Sequence, residues 1–247
     1  MLSSDRKRVL YGRRRGRVLR PGRRRLFEEL LPELRVDLSC GGFDPARLFR
    51  FPVDDIWLEV GFGGGEHLAA QALAHPTIGM LGCEPFVNGI GRLLGEISRA
   101  DIRNIRIHPD DARDLIDRLP DASVGRVFVL FADPWPKRRH WRRRFIGPDS
   151  LAGLARIMKD GAELRLASDR ATLVRWMLRH LGDHGDFEWT ARGPADWRVR
   201  PGDWPPSRYE EKALSRGETC TYLTFRRRPR PHGGGRGTMR PHCGSPL

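Results

Sequence analysis

The chain has 247 residues, a formal net charge of +14 and a sequence pI of about 10.9. Hydrophobic residues make up 39% of it, enough to fill the core of one large domain or two small ones. So basic a chain predicts a polyanionic partner, and no apolar run approaches the ~20 residues of a membrane-spanning helix. The basic N-terminus lacks the apolar stretch of a secretory signal, so we expect a cytoplasmic protein without a membrane partner.

The four cysteines, Cys40, Cys83, Cys220 and Cys243, are too sparse for a disulfide scaffold and form no C-x-x-C pair. We therefore expect reduced thiols. His242 adjoins Cys243, but the Gly/Pro-rich setting favours a disordered tail over a metal site. No bound metal is expected.

Composition divides the chain into three parts. Residues 1–25 carry eleven Lys or Arg residues and one acidic residue, which predicts a basic arm that is mobile in the free protein. Residues 227–247 are rich in Arg, Pro and Gly, and we expect this tail to be disordered. One folded domain is therefore predicted over residues 26–226.

Within that domain, short apolar runs alternate with helix-like segments. Strands are predicted at Ile56–Val60, Ile78–Gly82, Ile105–Ile107, Arg126–Ala132, Ala162–Ala167, Phe187–Trp189 and Thr221–Phe225. Helices are predicted at Glu66–Ala74, Val87–Arg99, Ala112–Leu119, Pro148–Met158 and Ala171–Leu181, with a short helical turn in 26–35 and a loop-rich stretch over 193–219. This alternation predicts a mostly parallel sheet covered on both faces, which binds ligands at the carboxyl ends of its strands.

The first predicted strand runs into a glycine-rich segment, Glu59-Val-Gly-Phe-Gly-Gly-Gly65. Its glycines, Gly61, Gly63 and Gly65, permit a tight turn and a close approach of a ligand to the backbone. A dinucleotide fingerprint would need a glycine where Glu66 stands. The spacing resembles motif I of Rossmann-like methyltransferases, whose cofactor S-adenosylmethionine carries a cationic sulfonium and no phosphate. A glycine turn without a ligand is the alternative.

Acidic residues follow the next two strands. Glu84 stands where a carboxylate can accept two hydrogen bonds from a ribose diol, although a surface glutamate is the alternative. Asp110 or Asp111 can cap the following helix. Asp111 and the Ala112 amide can also hold the edge of an adenine, and the two roles are compatible.

The fourth predicted strand is followed by Asp133-Pro-Trp-Pro-Lys137. The prolines stiffen the backbone where the strand leaves the sheet, so Asp133 is presented at the cofactor edge and Trp135 offers a stacking surface. Six of the eight residues 137–144 are Lys or Arg, with a histidine and a tryptophan among them. Basic residues neutralise phosphates and aromatic rings stack on bases. Beside a candidate catalytic loop, this pattern favours RNA binding over a solvated surface.

This Asp-Pro-Trp-x-Lys motif with its basic stretch resembles the tRNA (guanine-N7)-methyltransferase family, bacterial single-chain type. The likeness covers residues 26–226, with Ala132 where the family commonly has proline. Ser207-Arg-Tyr-Glu210 resembles the family's Thr-x-Tyr/Phe-Glu motif, and serine keeps the hydroxyl. The resemblance implies a Rossmann-like class I methyltransferase fold, α/β, with a mostly parallel seven-stranded sheet and helices on both faces.

The resemblance also implies a reaction, in which S-adenosylmethionine methylates guanine N7 in tRNA, at position 46 of the variable loop. Guanine N7 has a free lone pair and needs no general base, so catalysis can depend on positioning. Our hypothesis is that Asp133 is catalytic, orienting the guanine through its amide edge and stabilising the developing positive charge. We expect no obligate protein partner, in a monomer or a homodimer.

Site residues are assigned in three groups. Cofactor contacts are predicted for Glu59, Gly61, Gly63, Gly65, Glu84, Asp111, Ala112 and Asp133. Substrate contacts are implied for Lys137, Asp169, Ser207, Arg208, Tyr209 and Glu210. Contacts with the RNA backbone are predicted for Arg138, Arg139, Arg142 and Arg143.

Three rival classes are weighed against this interpretation. Methyltransferases of exocyclic amino groups in DNA or RNA use a related Asn/Asp-Pro-Pro-aromatic tetrad, but Trp135 stands at the third position here. A non-catalytic RNA-binding protein would not need the acids and glycines. An NAD-dependent oxidoreductase is disfavoured because Glu66 would face a pyrophosphate.

Overall fold

The computed structural model describes residues 10–39 and 44–231, and its centre is one seven-stranded sheet. The strands are β1 (Asp55–Val60), β2 (Ile78–Cys83), β3 (Ile105–His108), β4 (Val124–Leu130), β5 (Met158–Ser168), β6 (Phe187–Trp189) and β7 (Thr221–Arg227). Their order is β3-β2-β1-β4-β5-β7-β6. The first five strands pair in parallel, and β7 lies antiparallel between β5 and β6. The predicted mostly parallel sheet is confirmed.

Helices cover both faces of the sheet. They are α1 (Pro21–Glu29), α2 (Leu31–Leu34), α3 (Glu66–Ala74), α4 (Val87–Ala100), α5 (Ala112–Arg118), α6 (Pro148–Ile157), α7 (Ala171–Gly182), α8 (Ala195–Arg198) and α9 (Arg208–Leu214). Because strand side chains alternate between faces, Leu58 joins the core formed with α5, α6 and α7, whereas Trp57 joins the core formed with α3 and α4. Two layers of buried apolar side chains therefore hold the sheet between its helices.

The N-terminal helix differs from its prediction. α1 begins at Pro21, inside the segment predicted as a mobile arm, and it packs on α4. Proline suits the first turn of a helix because its fixed φ fits and its missing N–H needs no partner there. Pro32 likewise stands in the first turn of α2. The division into arm, domain and tail stays a prediction.

Two further segments differ from their predictions. The stretch 193–219, expected to be loop-rich, contains α8 and α9, which are too short for a periodic pattern and depend on tertiary packing. β5 begins at Met158, where the sequence predicted the end of a helix, and not at Ala162. Residues 159–161 form a bulge inside the strand, in which Gly161 has φ +80°. β5 pairs with β4 both before and after the bulge, so its two parts remain one strand.

The described residues bear on the predictions for the cysteines, for the tail and for membrane-spanning helices only in part. Cys83 and Cys220 are free and buried. Cys40, Cys243 and most of the predicted disordered tail lie outside the described residues. Over 10–39 and 44–231, no helix combines the length and apolar character needed to cross a membrane.

Candidate active site

The carboxyl ends of β1, β2, β3 and β4 surround a cavity of about 410 Å³, a size typical of small-molecule sites. The four strands are parallel neighbours, so the loops that leave them meet at one edge of the sheet. Among the lining residues are six of the predicted cofactor residues, Gly61, Gly63, Glu84, Asp111, Ala112 and Asp133. The lining also includes Arg143, predicted to contact RNA, and Tyr209, predicted to contact the substrate.

The glycine turn forms one wall of this cavity. Gly61, Gly63 and Gly65 all have left-handed backbone angles, and Gly65 is the N-cap of α3. A Cβ at Gly63 would lie 2.8 Å from Cε2 of Tyr209. Side chains at this position are therefore excluded both by the backbone angle and by the aromatic ring. The turn keeps its backbone bare toward the cavity.

Glu59 lies beneath the turn instead of facing the cavity. Its side chain is 4% exposed, and its Oε2 is 2.8 Å from Nδ1 of His67 on α3, which is equally buried. Glu59 does not line the cavity. Its observed contact connects the end of β1 to α3, so it supports the glycine turn from below.

Glu84 connects the second strand to the turn. Its Oε2 accepts a hydrogen bond from Gly63 N at 2.7 Å, and its Oε1 accepts one from Phe86 N at 2.9 Å. Burial raises the pKa of the Glu84 carboxyl to about 7, against the lowering effect of these two hydrogen bonds. A carboxylate has about four acceptor positions, so lone pairs remain on the cavity side.

Asp111 performs the predicted capping. Its Oδ1 accepts a hydrogen bond from Arg113 N at 3.0 Å, at the start of α5, and its Oδ2 is 3.0 Å from Nη1 of Arg113. Asp111 and Ala112 also line the cavity. The cap thereby fixes this carboxylate at the cavity wall, while its contact with an adenine stays a prediction.

The loop after β4 holds Asp133 at the cavity edge, and two residues of this loop have left-handed backbone angles. Phe131 and Trp135, which flank it, have φ of +50° and +41°. Such angles cost about 1–3 kcal/mol each for residues other than glycine and persist where surrounding contacts enforce them. Asp133 is exposed, yet the cavity walls remove enough water to raise the pKa of its carboxyl above the usual range.

The basic stretch divides into exposed and enclosed side chains. A 3₁₀ helix over Arg138–Arg143 follows the Asp133 loop. Lys137, Arg138, Arg139 and Arg142 are exposed and do not line the cavity, so they are available to phosphates.

Arg143 is enclosed at the cavity. Its guanidinium lies 4.5 Å from the ring centre of Tyr11 and 5.0 Å from that of Trp135. Its Nε is buried without a hydrogen-bond partner. The side chain therefore faces the ligand cavity rather than the outer surface, and its predicted contact with the RNA backbone stays a prediction.

The Ser207–Glu210 motif builds the first turn of α9. Ser207 Oγ accepts a hydrogen bond from Glu210 N at 3.2 Å, and Glu210 Oε2 accepts one from Ser207 N at 3.4 Å. The buried Glu210 carboxylate also accepts the hydroxyl of Tyr222 and lies 3.1 Å from Nε of Arg200. Of the four motif residues, Tyr209 reaches the cavity. Ser207 and Glu210 hold the helix that presents it.

Five of the six predicted substrate residues lie outside the lining, namely Lys137, Asp169, Ser207, Arg208 and Glu210. Asp169 follows β5, and its Oδ2 is 3.2 Å from Nε of Arg170. Arg208, on the exposed side of α9, has its Nε 3.9 Å from Oε1 of Glu66. Their roles stay predictions.

The N-terminal segment supplies cavity residues that the sequence reasoning missed. Residues 10–13, among them Tyr11, line the cavity. Arg14 holds the segment there, because its Nη2 is 2.7 Å from Oδ1 of Asp110 and its carbonyl accepts a hydrogen bond from Val87 N at 2.9 Å. The available signal was Tyr11, the one aromatic residue among residues 1–25 of the sequence.

Comparison with known proteins finds a matching family model and relatives that share one name. Residues 54–223 match a family model described as "Putative methyltransferase". The tRNA (guanine-N(7)-)-methyltransferase of Rhodospirillum rubrum is 53% identical over 224 residues, covering 89% of this chain and 88% of that protein. Proteins of the same name from Ruegeria sp. (strain TM1040) and Brucella abortus (strain 2308) are 47% and 44% identical, covering 89% and 88% of this chain and 88% and 94% of their own lengths.

Proposed function

The chain belongs to the tRNA (guanine-N(7)-)-methyltransferase family, and from this membership we propose that it transfers a methyl group from S-adenosylmethionine to N7 of a guanine in tRNA. We further propose guanine 46 of the variable loop as the target, by the family resemblance. The observation that carries the proposal is the cavity in which the glycine turn, Glu84 and Asp133 meet beside an exposed basic stretch.

The chemistry of the cavity residues fits the proposed cofactor. Glu84, Asp111 and Asp133 place three carboxyl groups on the lining, which suits a cationic ligand. The bare turn at Gly61 and Gly63 allows an adenosine-bearing ligand to approach the backbone closely. Glu84 would accept the ribose hydroxyls, and Asp111 with the Ala112 amide would hold the adenine. Bound there, S-adenosylmethionine supplies a methyl group on a sulfonium centre.

The tRNA base then needs orientation more than activation. Guanine N7 has a free lone pair at neutral pH, so no residue of this chain has to remove a proton from it before it reacts. Asp133, at the cavity edge, accepts hydrogen bonds from the amide edge of the guanine and stabilises the positive charge that develops on the base. Trp135 and Tyr209 offer aromatic surfaces on the same lining.

The charge of the surface supports an RNA substrate. Lys137, Arg138, Arg139 and Arg142 lie exposed directly after the Asp133 loop. Such side chains contact phosphates and make binding dependent on salt. The proposal needs no obligate protein partner and is compatible with a monomer or a homodimer.

A transfer assay tests the proposal directly. The full chain is incubated with labelled S-adenosylmethionine and an unmodified tRNA transcript, and with a transcript in which the variable-loop guanine is replaced by adenine. We expect label in the first transcript, absent from the second, and 7-methylguanosine on nucleoside mass spectrometry. Methylation of an exocyclic amino group would refute the proposed atom, and equal labelling of both transcripts would refute position 46.

A further inference from the structure

One arginine of the basic stretch points into the protein. Arg144 follows the 3₁₀ helix and is 3% exposed, whereas Arg142, two residues earlier, is exposed. Arg144 does not line the cavity. A guanidinium that reaches neither solvent nor the cavity has no access to a phosphate, so its function must lie in its contacts with the protein.

The first of these contacts is with the backbone of the Asp133 loop. Arg144 Nε donates a hydrogen bond to the carbonyl of Pro134 at 2.9 Å. Pro134 is the residue directly after Asp133, and proline has no N–H with which the loop could be tied at that position. The carbonyl of Pro134 is therefore a remaining backbone group through which this part of the loop can be fixed.

The loop needs such an external hold because its backbone is strained. Trp135 has φ +41°, next to the proline whose carbonyl Arg144 binds. An angle of this kind in a bulky residue persists when surrounding contacts enforce it. A charged donor makes a stronger hydrogen bond than a neutral one, which suits Arg144 to this task.

Two tryptophans hold the guanidinium in its place. It lies 4.9 Å from the ring centre of Trp141 and 5.1 Å from that of Trp176 on α7. Trp176 is fixed in turn, since its Nε1 donates a hydrogen bond to the carbonyl of Ile146 at 2.6 Å. The guanidinium lies against both rings, which are inclined at 64° to each other, while its Nε donates to the loop, a combination that a lysine ammonium does not offer.

We propose that Arg144 is a positioning residue for the methyl transfer, which sets the place of the Asp133 carboxylate through the Pro134 carbonyl. It acts on the loop and does not bind tRNA phosphates, despite its place in the basic stretch. The inference deepens the proposed function and rests on it, because Asp133 orients the guanine there.

The substitution Arg144→Lys tests this. Lysine keeps the charge but loses the Nε–H directed at Pro134 and the contact of the guanidinium with the two tryptophan rings. We expect kcat to fall by ~10–100-fold, since a displacement of about 1 Å in a positioning group costs that much. KM for tRNA, its dependence on salt and the Kd of S-adenosylmethionine should change less than about threefold, because neither binding surface is altered. The control is Arg175→Lys, an exposed residue of the same α7 that carries Trp176, for which kcat should be unchanged.

Hydrogen exchange gives a readout that does not depend on activity. The amides of Phe131 and His140, which donate hydrogen bonds to the carbonyls of Ala167 and Lys137 at the two ends of the loop, should exchange faster in Arg144→Lys than in the parent protein, while those of the glycine turn stay as they are. If the parent protein fails to methylate tRNA, the proposed function falls, yet the exchange comparison still tests the hold of Arg144 on the loop.

Three results would overturn the inference. The first is a raised KM for tRNA with kcat retained, together with a slope of log affinity against log salt concentration that is smaller by about one, which would make Arg144 a phosphate contact. The second is unchanged exchange of the loop, whatever the turnover. The third is a parallel loss of cofactor affinity, which would indicate general collapse of the cavity.

Discussion

Asp133 combines two properties that rarely coincide in one side chain. It is exposed at the cavity edge, where a substrate can reach it, and the walls around it raise the pKa of its carboxyl. Its backbone lies between two residues with left-handed angles, Phe131 and Trp135. A carboxylate held this way can meet a positive charge that develops on a base without first reorganising.

The Asp133→Asn variant tests this role. The amide keeps the size of the side chain but removes the negative charge and one acceptor, so orientation of the guanine and charge stabilisation should both weaken. We expect S-adenosylmethionine binding, measured by calorimetry, to stay within a few-fold and turnover in the tRNA transfer assay to fall by ~100-fold or more. Turnover equal to that of the parent protein would rule out a catalytic Asp133.

The raised pKa of Glu84 leads us to expect that cofactor binding depends on pH. Burial raises the pKa of its carboxyl to about 7 in the free protein, and the ionised form is the one that accepts ribose hydroxyls. The Kd of S-adenosylmethionine should therefore be constant above about pH 8 and should rise as pH falls through 7, approaching tenfold per pH unit. Calorimetry between pH 5.5 and about 8.5 measures this profile.

The matched variant for this prediction is Glu84→Gln. Glutamine keeps acceptor capacity but does not titrate, so its Kd should be weaker at pH 8 and nearly independent of pH. A sloping profile that survives in Glu84→Gln would assign the titration to another group, with Asp133 the next candidate because its pKa is also raised.

At the scale of elements, α9 shows how a short helix can be built to present one side chain. Seven residues are too few to form a stable helix alone. The helix is held by its capping box, by the buried Glu210 carboxylate with the Tyr222 hydroxyl, and by the burial of Ala213. Its first turn then places Tyr209 against the glycine turn.

Removing the cap should therefore affect both stability and the site. The Ser207→Ala variant loses the acceptor for Glu210 N, which costs about 1 kcal/mol at an N-cap. We expect a lower Tm and a KM for tRNA raised by a few-fold, because Tyr209 lies in the first turn that Ser207 caps. Ser215→Ala, at the exposed C-terminal end of α9, is the control and should change neither. Equal effects of the two variants would argue against a specific role of the cap.

The strand ends were predicted from the sequence more completely than the segments around them. Six of the eight cofactor assignments lie on the lining, all but Glu59 and Gly65, because the alternation of strands and helices fixes where parallel strands end. Glu59 has the expected sequence spacing but lies under the turn, since neighbouring residues of a strand face opposite sides of the sheet. The contact of Glu59 with His67 on α3 holds the carboxylate there, away from the cavity.

At the scale of the whole molecule, the N-terminal segment joins the basic surface to the cavity. Asn88, in the first turn of α4, accepts a hydrogen bond from Gly16 N at 2.8 Å and donates one to the carbonyl of Arg17 at 2.7 Å. Tyr11 reaches Arg143 and Trp135 at the cavity. Arg13 of this segment lines the cavity and Arg14 pairs with Asp110 of the lining, so the segment places basic side chains at the site to which a tRNA would bring its base.

Releasing this segment should weaken the grip on tRNA. The Asn88→Ala variant removes both hydrogen bonds to the segment. We expect a higher KM for tRNA by several-fold and faster tryptic cleavage after Arg15 and Arg17, measured against Ser98→Ala on the exposed face of α4. Cleavage rates equal to those of the control would mean that Asn88 does not hold the segment.

The sequence by itself determined the seven strands, the five main helices between them, the mostly parallel sheet and the glycine, acidic and basic motifs at its strand ends. These follow from local rules, because apolar periodicity and glycine or proline positions act within a few residues. Tertiary structure alone decided that residues 10–13 line the cavity, that Arg143 faces it and that Arg144 is buried against two tryptophans. The sequence does not distinguish one arginine of the basic stretch from the next. Which of them is enclosed depends on partners far along the chain, Tyr11 for Arg143 and Trp176 for Arg144.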